Sequence, residues 1–286
     1  ELSIDLAEKL NAEIISADSR QVYKHIQIAT CAPSESDLNK IKHYFVNELE
    51  LNDEFNAGLF AKKSKLIIKD IFNKGKSVLV VGGSGLYIKS LIDGFYDEDI
   101  NVLDIRNKLN ARLESEGRDV LYNELLKIDP STALKMDSGK FRRVIRALEV
   151  FYVTGKKMSD LQNLNVKPDF EAVQIGLFVD RPLLYERINS RVDIMLSNGL
   201  LDEVESLKKR GLSYETHNSL NTVGIKEVFR YFEGEIDKET MVIQIKQNTR
   251  RYAKRQMTWF NADKRIKWVN INEQFLKVIL YELYIK

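Results

Sequence analysis

The residues best suited to chemistry stand together in Asp18-Ser19-Arg20-Gln21-Val22-Tyr23. A carboxylate, a hydroxyl, a guanidinium, an amide and a phenol follow one another closely there. They come directly after Ile14-Ile15-Ser16-Ala17, an apolar run with the character of a buried strand. In open α/β sheets ligands lie outside the carboxyl ends of the strands, where a carboxylate such as Asp18 can take a proton from a substrate. Asp and Ser also cap turns, so the stretch alone leaves both readings open. A second group, Gly82-Gly83-Ser84-Gly85-Leu86-Tyr87, follows the apolar run Ser77-Val78-Leu79-Val80-Val81 and opens a helix. Glycines there would let a ligand approach the backbone, and a helix N-terminus favours anions. A tight strand-to-helix turn without a ligand would carry the same letters. Under the first reading Asp18 and Ser84 share one edge of a sheet.

The cations form three groups. Arg187 and Arg191 fall on one helix face, where two guanidiniums could clamp a pyrophosphate. Arg142 and Arg146 share another face, with Arg143 beside them. The segment from Lys238 to Phe260 reads as one long helix carrying Lys246, Arg250 and Lys254 as a stripe, with Gln247, Arg251 and Arg255 in the next. No acid lies between Thr240 and Ala262. Such a helix is either a solvated face or a surface that tracks a nucleic-acid backbone. His25, His43 and His217 are isolated and read as structural or surface residues, not metal ligands.

Positioning these groups takes an alternation of strands and helices. Leu2, Leu6 and Leu10 repeat at helical spacing, and a helix from Asn56 as N-cap to Asn73 precedes the strand at Ser77. Strand character appears at 13–17, 43–46, 77–81, 172–179 and 268–271. This predicts an α/β fold, a parallel sheet flanked by helices. Between Asn101 and Gly155 the strand signal disappears, and Leu103–Glu116, Asp119–Ile128 and Phe141–Val153 are helical in period. The expected organisation is an α/β core made of 1–100 and 172–286, interrupted by an all-helical insertion at 101–171. After it, Asp180-Arg181-Pro182 opens a helix, a second runs from Leu201 to Lys209, and a last one is expected over Phe275–Tyr284. With 44 basic against 42 acidic residues, net charge points to no partner, so distribution has to. The single cysteine, Cys31, excludes an internal disulfide and suits a reducing cytosol. No apolar run approaches the ~20 residues of a membrane span.

Five segments in order give these pieces a family. Asp18–Tyr23, Gly82–Tyr87, Arg143-Val144-Ile145-Arg146-Ala147-Leu148-Glu149-Val150, Thr222-Val223-Gly224-Ile225-Lys226 and Lys254-Arg255-Gln256-Met257-Thr258-Trp259 together resemble the tRNA dimethylallyltransferases, also called tRNA isopentenyltransferases, over nearly the whole chain. The resemblance implies a core related to P-loop NTPases with a helical insertion that contacts tRNA. It implies transfer of a dimethylallyl group from dimethylallyl pyrophosphate to N6 of the adenosine at position 37, beside the anticodon, with Mg2+ assisting departure of pyrophosphate. By motif, Asp18 matches the general base, Ser84 lies near the reacting centre, and Arg191 matches a pyrophosphate-binding arginine, with Arg187, Gly83 and Ser84 beside it. The tRNA contacts map onto Asp18, Ser19, Arg20, Gln21, Arg142, Arg143, Arg146, Thr222, Gly224, Lys226, Lys254, Arg255, Gln256 and Trp259. The expected partners are the anticodon stem-loop and the prenyl donor, for a cytoplasmic monomer that needs no membrane.

The family's phosphate loop, ending in Gly-Lys-Thr or Gly-Lys-Ser, is expected immediately before Glu1, with the metal ligand in it and none in this chain. The connectors around Asp97–Asn101 and Asp137–Gly139 are shorter than the family's, and the zinc-finger extension of eukaryotic relatives is absent, as in a bacterial-type enzyme. The rival readings are a prenyltransferase acting on free adenine nucleotides, a P-loop small-molecule kinase, and a non-catalytic RNA-binding protein. The first needs no helical insertion or basic helix. The second needs a nucleoside triphosphate site. The third has no use for Asp18, Ser84 and Arg191 at one edge.

Overall fold

The computed structural model describes residues 2–94, 103–136, 141–162, 168–271 and 278–280. In chain order the elements are α1 (Leu2–Lys9), β1 (Ala12–Ser16), α2 (Gln27–Thr30), α3 (Glu35–Lys40), β2 (His43–Tyr44), α4 (Ala57–Asn73), β3 (Ser77–Val81), α5 (Gly85–Asp93), α6 (Leu103–Glu116), α7 (Arg118–Ile128), α8 (Pro130–Ala133), α9 (Phe141–Thr154), α10 (Met158–Gln162), β4 (Ile175–Phe178), α11 (Arg181–Ser197), α12 (Leu200–Lys209), α13 (Ile225–Phe232), α14 (Lys238–Asn261) and β5 (Lys267–Asn270). The chain divides into two compact units, one of 1–91 with 170–286 and one of 92–169.

In the first unit β1 is the middle strand of a parallel sheet ordered β2-β1-β3, with Ile14 opposite His43 and Leu79, and Ile15 opposite Tyr44 and Val80. Side chains alternate across a strand, and here both faces are covered. Ile14, with Ala12, packs against Ile4 and Ala7 of α1 and against Leu79 and Val81. Ile15 joins the main core on the other face, with Phe60, Tyr87, Leu200, Phe229 and Ile245. Every residue of β1 is buried, Glu13 included, whose carboxylate accepts from Lys76 Nζ and from the Tyr44 hydroxyl, both at 2.8 Å. Strands β4 and β5 pair with each other, also in parallel.

Local chemistry sets the helix ends. Asn56 Oδ1 accepts from the Leu59 amide at 2.9 Å to start α4, and Asp237 Oδ1 accepts from Thr240 at 2.7 Å to start α14. Pro182 occupies the first turn of α11, where its missing N–H costs nothing.

The second unit is all-helical among its described residues. Leu109, Leu121, Leu125, Val144 and Leu148 of α6, α7 and α9 form its core. Buried Asp129 holds two further helices, accepting from the Thr132 amide at 3.0 Å and the Ser159 amide at 2.9 Å. The expected breaks and connectors at Asp97–Asn101 and Asp137–Gly139, and most of the expected closing helix at Phe275–Tyr284, lie outside the described residues.

Five of the described α-helices are not among those expected from the sequence. Helix α13 lies in a stretch that the reading left unassigned between Gly211 and Lys238, although Ile225, Val228, Phe229 and Phe232 have helical spacing. The others, α2, α3, α8 and α10, have four to six residues each and are too short for a periodic signal.

Candidate functional site

The site is assembled where β1 and β3 end side by side, with Ser16 paired to Val81. The Ala17 amide donates to the Val81 carbonyl at 2.7 Å, and the Ser84 amide donates to the Ala17 carbonyl at 3.1 Å. A Cβ on Gly82 would lie 2.3 Å from that Ala17 oxygen, so only glycine lets the two strand ends approach this closely. Asp18 and Ser84 are thus brought to one edge by backbone hydrogen bonds.

Asp18 is half-buried, and one of its two carboxylate oxygens is engaged. Its Oδ1 accepts from the Arg20 amide at 2.8 Å and the Gln21 amide at 3.3 Å, the turn-capping role that Asp takes so often. Its Oδ2 has no partner among the described residues. Ser84 Oγ accepts from the Ser19 amide at 3.0 Å, which fixes the loop carrying Asp18 to the loop carrying Ser84. The charge of Asp18 reaches three neighbours. Desolvation pushes the Tyr87 and Tyr252 phenols up, and Asp18 pushes them further. Desolvation also raises the Cys31 thiol, Arg191 pulls it back, and Asp18 pushes it up again. Cys31 therefore lies within range of both the carboxylate and the arginine.

Arg187 and Arg191 are exposed on α11 and line a cleft of about 650 Å³ with Gln27, Cys31, Ser190 and Asn198. Leu183 and Ile194 give the same cleft apolar wall. Its opposite side is the short helix α2, held by Glu203, whose Oε2 and Oε1 accept from the Ile28 amide at 2.8 Å and the Ala29 amide at 2.9 Å. Gln21 ties α2 to the Asp18 loop, donating from Nε2 to the Thr30 and Cys31 carbonyls at 3.3 and 3.2 Å and accepting from Ser16 Oγ at 3.0 Å.

Several residues expected to face RNA are engaged within the chain. Arg20 donates to the Asn218 carbonyl at 2.7 Å and to the Asn221 carbonyl at 3.4 Å, which holds the segment leading to Thr222 and Lys226. Gly224 is buried at a positive φ of 97°, and its amide donates to Glu227 Oε2 at 2.8 Å to begin α13. The other oxygen of buried Glu227 accepts from Asn248 Nδ2 at 2.7 Å, joining α13 to α14. Thr222 and Lys226 are half-buried.

The glycine turn also differs from the ligand-approach reading. Gln256 donates from Nε2 to the Gly83 carbonyl at 3.0 Å. A Cβ on Gly83 would sit 1.9 Å from that nitrogen, and one on Gly85 would sit 2.2 Å from the Trp259 indole. The room left by these two glycines is filled by side chains of α14.

The stripe Lys246-Arg250-Lys254 is in part a seam between helices. Lys246 pairs with Asp193 of α11 at 2.6 Å. Arg250 donates to Asn189 at 2.9 Å and lies over the Tyr185 ring. Lys254 is exposed, as is Arg255, which lies over the Tyr252 ring. In the helical unit Arg142 and Arg143 are exposed, whereas Arg146 pairs with buried Glu149 at 3.3 Å. Cys31, Glu203 and Tyr252 are site residues that the sequence reading did not single out. Nothing in the letters around Glu203 marks it, because its amide partners come from far along the chain.

With this geometry in place, known proteins resolve the family. The family model described as "IPP transferase" matches residues 21–263.

The chain belongs to the IPP transferase family.

It is 42% identical to the tRNA dimethylallyltransferase of Christiangramia forsetii over 98% of this chain and 92% of that one. The tRNA dimethylallyltransferase of Chlorobium phaeobacteroides is 41% identical, over 95% of this chain and 87% of its own length. Among solved structures, a eukaryotic dimethylallyltransferase acting on tRNA superposes with a TM-score of 0.80 at 31% identity, covering 95% of this chain and 70% of that one. The full-length tRNA isopentenylpyrophosphate transferase of Bacillus halodurans gives 0.71 at 33% identity, covering 99% and 92%.

Proposed function

We propose that this chain is a tRNA dimethylallyltransferase, moving a dimethylallyl group from dimethylallyl pyrophosphate to N6 of the adenosine beside the anticodon, position 37. Family membership over most of the chain supports prenyl transfer to tRNA. The observation that carries the residue assignment is Asp18. One of its oxygens is pinned by two backbone amides, the other is unpartnered among the described residues, and an arginine-lined cleft lies within electrostatic reach.

An exocyclic aryl amine is a weak nucleophile because its lone pair is delocalised into the ring. In the proposed step that nitrogen attacks the allylic carbon, the carbon–oxygen bond breaks, and pyrophosphate leaves with the bonding electrons. Asp18 accepts the N–H proton as the new bond forms, an assistance worth about 10² to 10⁴ in rate. Arg191 and Arg187 meet the charge that develops on the leaving group. The apolar wall of Leu183 and Ile194 suits the hydrocarbon tail. The base must leave its stack to reach this edge. Exposed Arg142, Arg143, Lys254 and Arg255 would hold RNA phosphates. Magnesium is proposed only as a companion of the pyrophosphate, where it would help offset the charge of the leaving group. Among the described residues no three His, Cys, Asp or Glu side chains come together to cage it. No helix among them is long and apolar enough to cross a membrane, and a cytosolic monomer is the proposed setting.

The test is incubation with unmodified tRNA and dimethylallyl pyrophosphate, followed by nuclease digestion and mass spectrometry of the nucleosides. A dimethylallyl adenosine from the anticodon loop is the expected product. Prenylation of free adenosine monophosphate but not of tRNA would overturn the reading.

A further inference from the structure

Helix α14 carries the exposed cations Lys254 and Arg255 near its C-terminal end, and on the same stretch two side chains that grip the glycine turn. We propose that Gln256, with Trp259 beside it, is a positioning residue for the catalytic edge: through the turn it sets where Ser84 stands, and through Ser84 where the Asp18 loop stands. The inference rests on the prenyl-transfer reading above and adds to it how the RNA-facing helix and the reacting carboxylate are joined.

The connection is a continuous series of short contacts. Gln256 Nε2 donates to the Gly83 carbonyl at 3.0 Å. The next residue, Ser84, accepts from the Ser19 amide through its hydroxyl at 3.0 Å and donates its own amide to Ala17 at 3.1 Å. Ala17 and Ser19 flank Asp18, whose carboxylate is held in turn by the Arg20 and Gln21 amides. Trp259 fills the place of a side chain at Gly85, so the turn is fastened on both sides of Ser84. Steric fit points the same way. A Cβ at Gly83 or Gly85 would meet the Gln256 amide or the Trp259 indole well inside contact distance, which ties the glycines to these two side chains. Tyr252, one turn earlier on α14, feels the charge of Asp18, so the helix passes close to the carboxylate itself. A displacement of order 1 Å at a catalytic group can cost about 10²-fold in rate, so a single amide bond in this series is enough to matter.

An RNA that binds Lys254 and Arg255 would stiffen the helix to which the turn is fastened. Gln256 then acts on turnover and not on RNA affinity, although it lies among residues expected to touch RNA.

The decisive variant is Gln256→Met, which keeps the length and volume of the side chain and removes the donor. In the tRNA prenylation assay, kcat should fall about tenfold, as loss of one well-placed hydrogen bond allows, while KM for tRNA and its salt dependence stay within twofold. Gly83→Ala should give the same kcat-only defect by displacing the amide. The double variant Gln256→Met/Gly83→Ala should be no worse than either alone, because residues in one contact act non-additively. Thermal melts and filter binding of tRNA check that each variant is folded and binds. A loss of tRNA affinity with kcat intact would make Gln256 an RNA contact and overturn the proposal. Unchanged kinetics in the variants, beside a wild type that prenylates tRNA, would overturn it too. A wild type inactive on tRNA would instead sink the functional reading on which it rests.

Discussion

At the residue scale the proposed chemistry depends on how little of Asp18 is already committed. Replacing Asp18 with Ala should remove nearly all prenyl transfer in single-turnover assays while tRNA affinity changes only a few-fold. A near wild-type rate would assign the proton to another group. Cys31 offers an independent probe of the cleft. Its thiol is raised mainly by desolvation, so alkylation by iodoacetamide should turn on with a midpoint above the ~8.5 of an ordinary thiol. Because Arg191 lowers that midpoint, Arg191→Ala should move it further up and slow alkylation at any pH below it. A midpoint shifted down, or unmoved, would show that Arg191 does not reach the sulfur. That Asp18 and Ser84 meet at one sheet edge, and that Arg187 and Arg191 share a helix, was legible in the sequence because strand ends and helix faces show in the spacing of residues. Glu203 and Tyr252 were not, because their importance comes from partners brought in by the fold.

At the element scale the long periodic helices and buried strands could be read closely from the pattern of apolar residues, since packing on a sheet imposes that pattern. What the pattern could not show is which cations on a helix point into a neighbouring helix. Lys246 and Arg250 share a stripe with Lys254, yet the first two are bound to α11. Helix α9 makes the same division. Arg142 and Arg143 are exposed, while Arg146 helps neutralise Glu149, which is 1% exposed and is also held by Arg106 at 2.7 and 3.1 Å. Arg106→Ala leaves that carboxylate buried with less compensation and should cost about 3 kcal/mol in urea denaturation. Glu149→Gln should cost less, because the two arginines keep access to water. Equal losses would mean that the charge of Glu149 is not what Arg106 serves.

At the scale of the whole molecule, a net charge of +2 leaves RNA affinity to a few exposed cations. Replacing Lys254 and Arg255 together with Ala should make the plot of log affinity against log salt shallower by about two. Arg250→Ala should lower the melting temperature and leave that slope alone, since its guanidinium is occupied by Asn189 and Tyr185. An unchanged slope in the double variant would make the end of α14 a solvated surface. The fold class was legible from the order of strands and helices alone. The family rested on five short motifs, and their spacing carried more information than any one of them.

The pairing of β4 with β5 bears on synthesis by the ribosome. Ile175 of β4 stays without its neighbour until Lys267 and the strand around it have left the exit tunnel. The helical unit closes its core by residue 169 and uses mainly local contacts, the kind that form fastest. The growing chain therefore completes its interrupting unit while the interrupted one is still unfinished. For the time taken to translate α11 through α14, the apolar residues of β4 lack the strand that covers them, a window in which a chaperone is of most use.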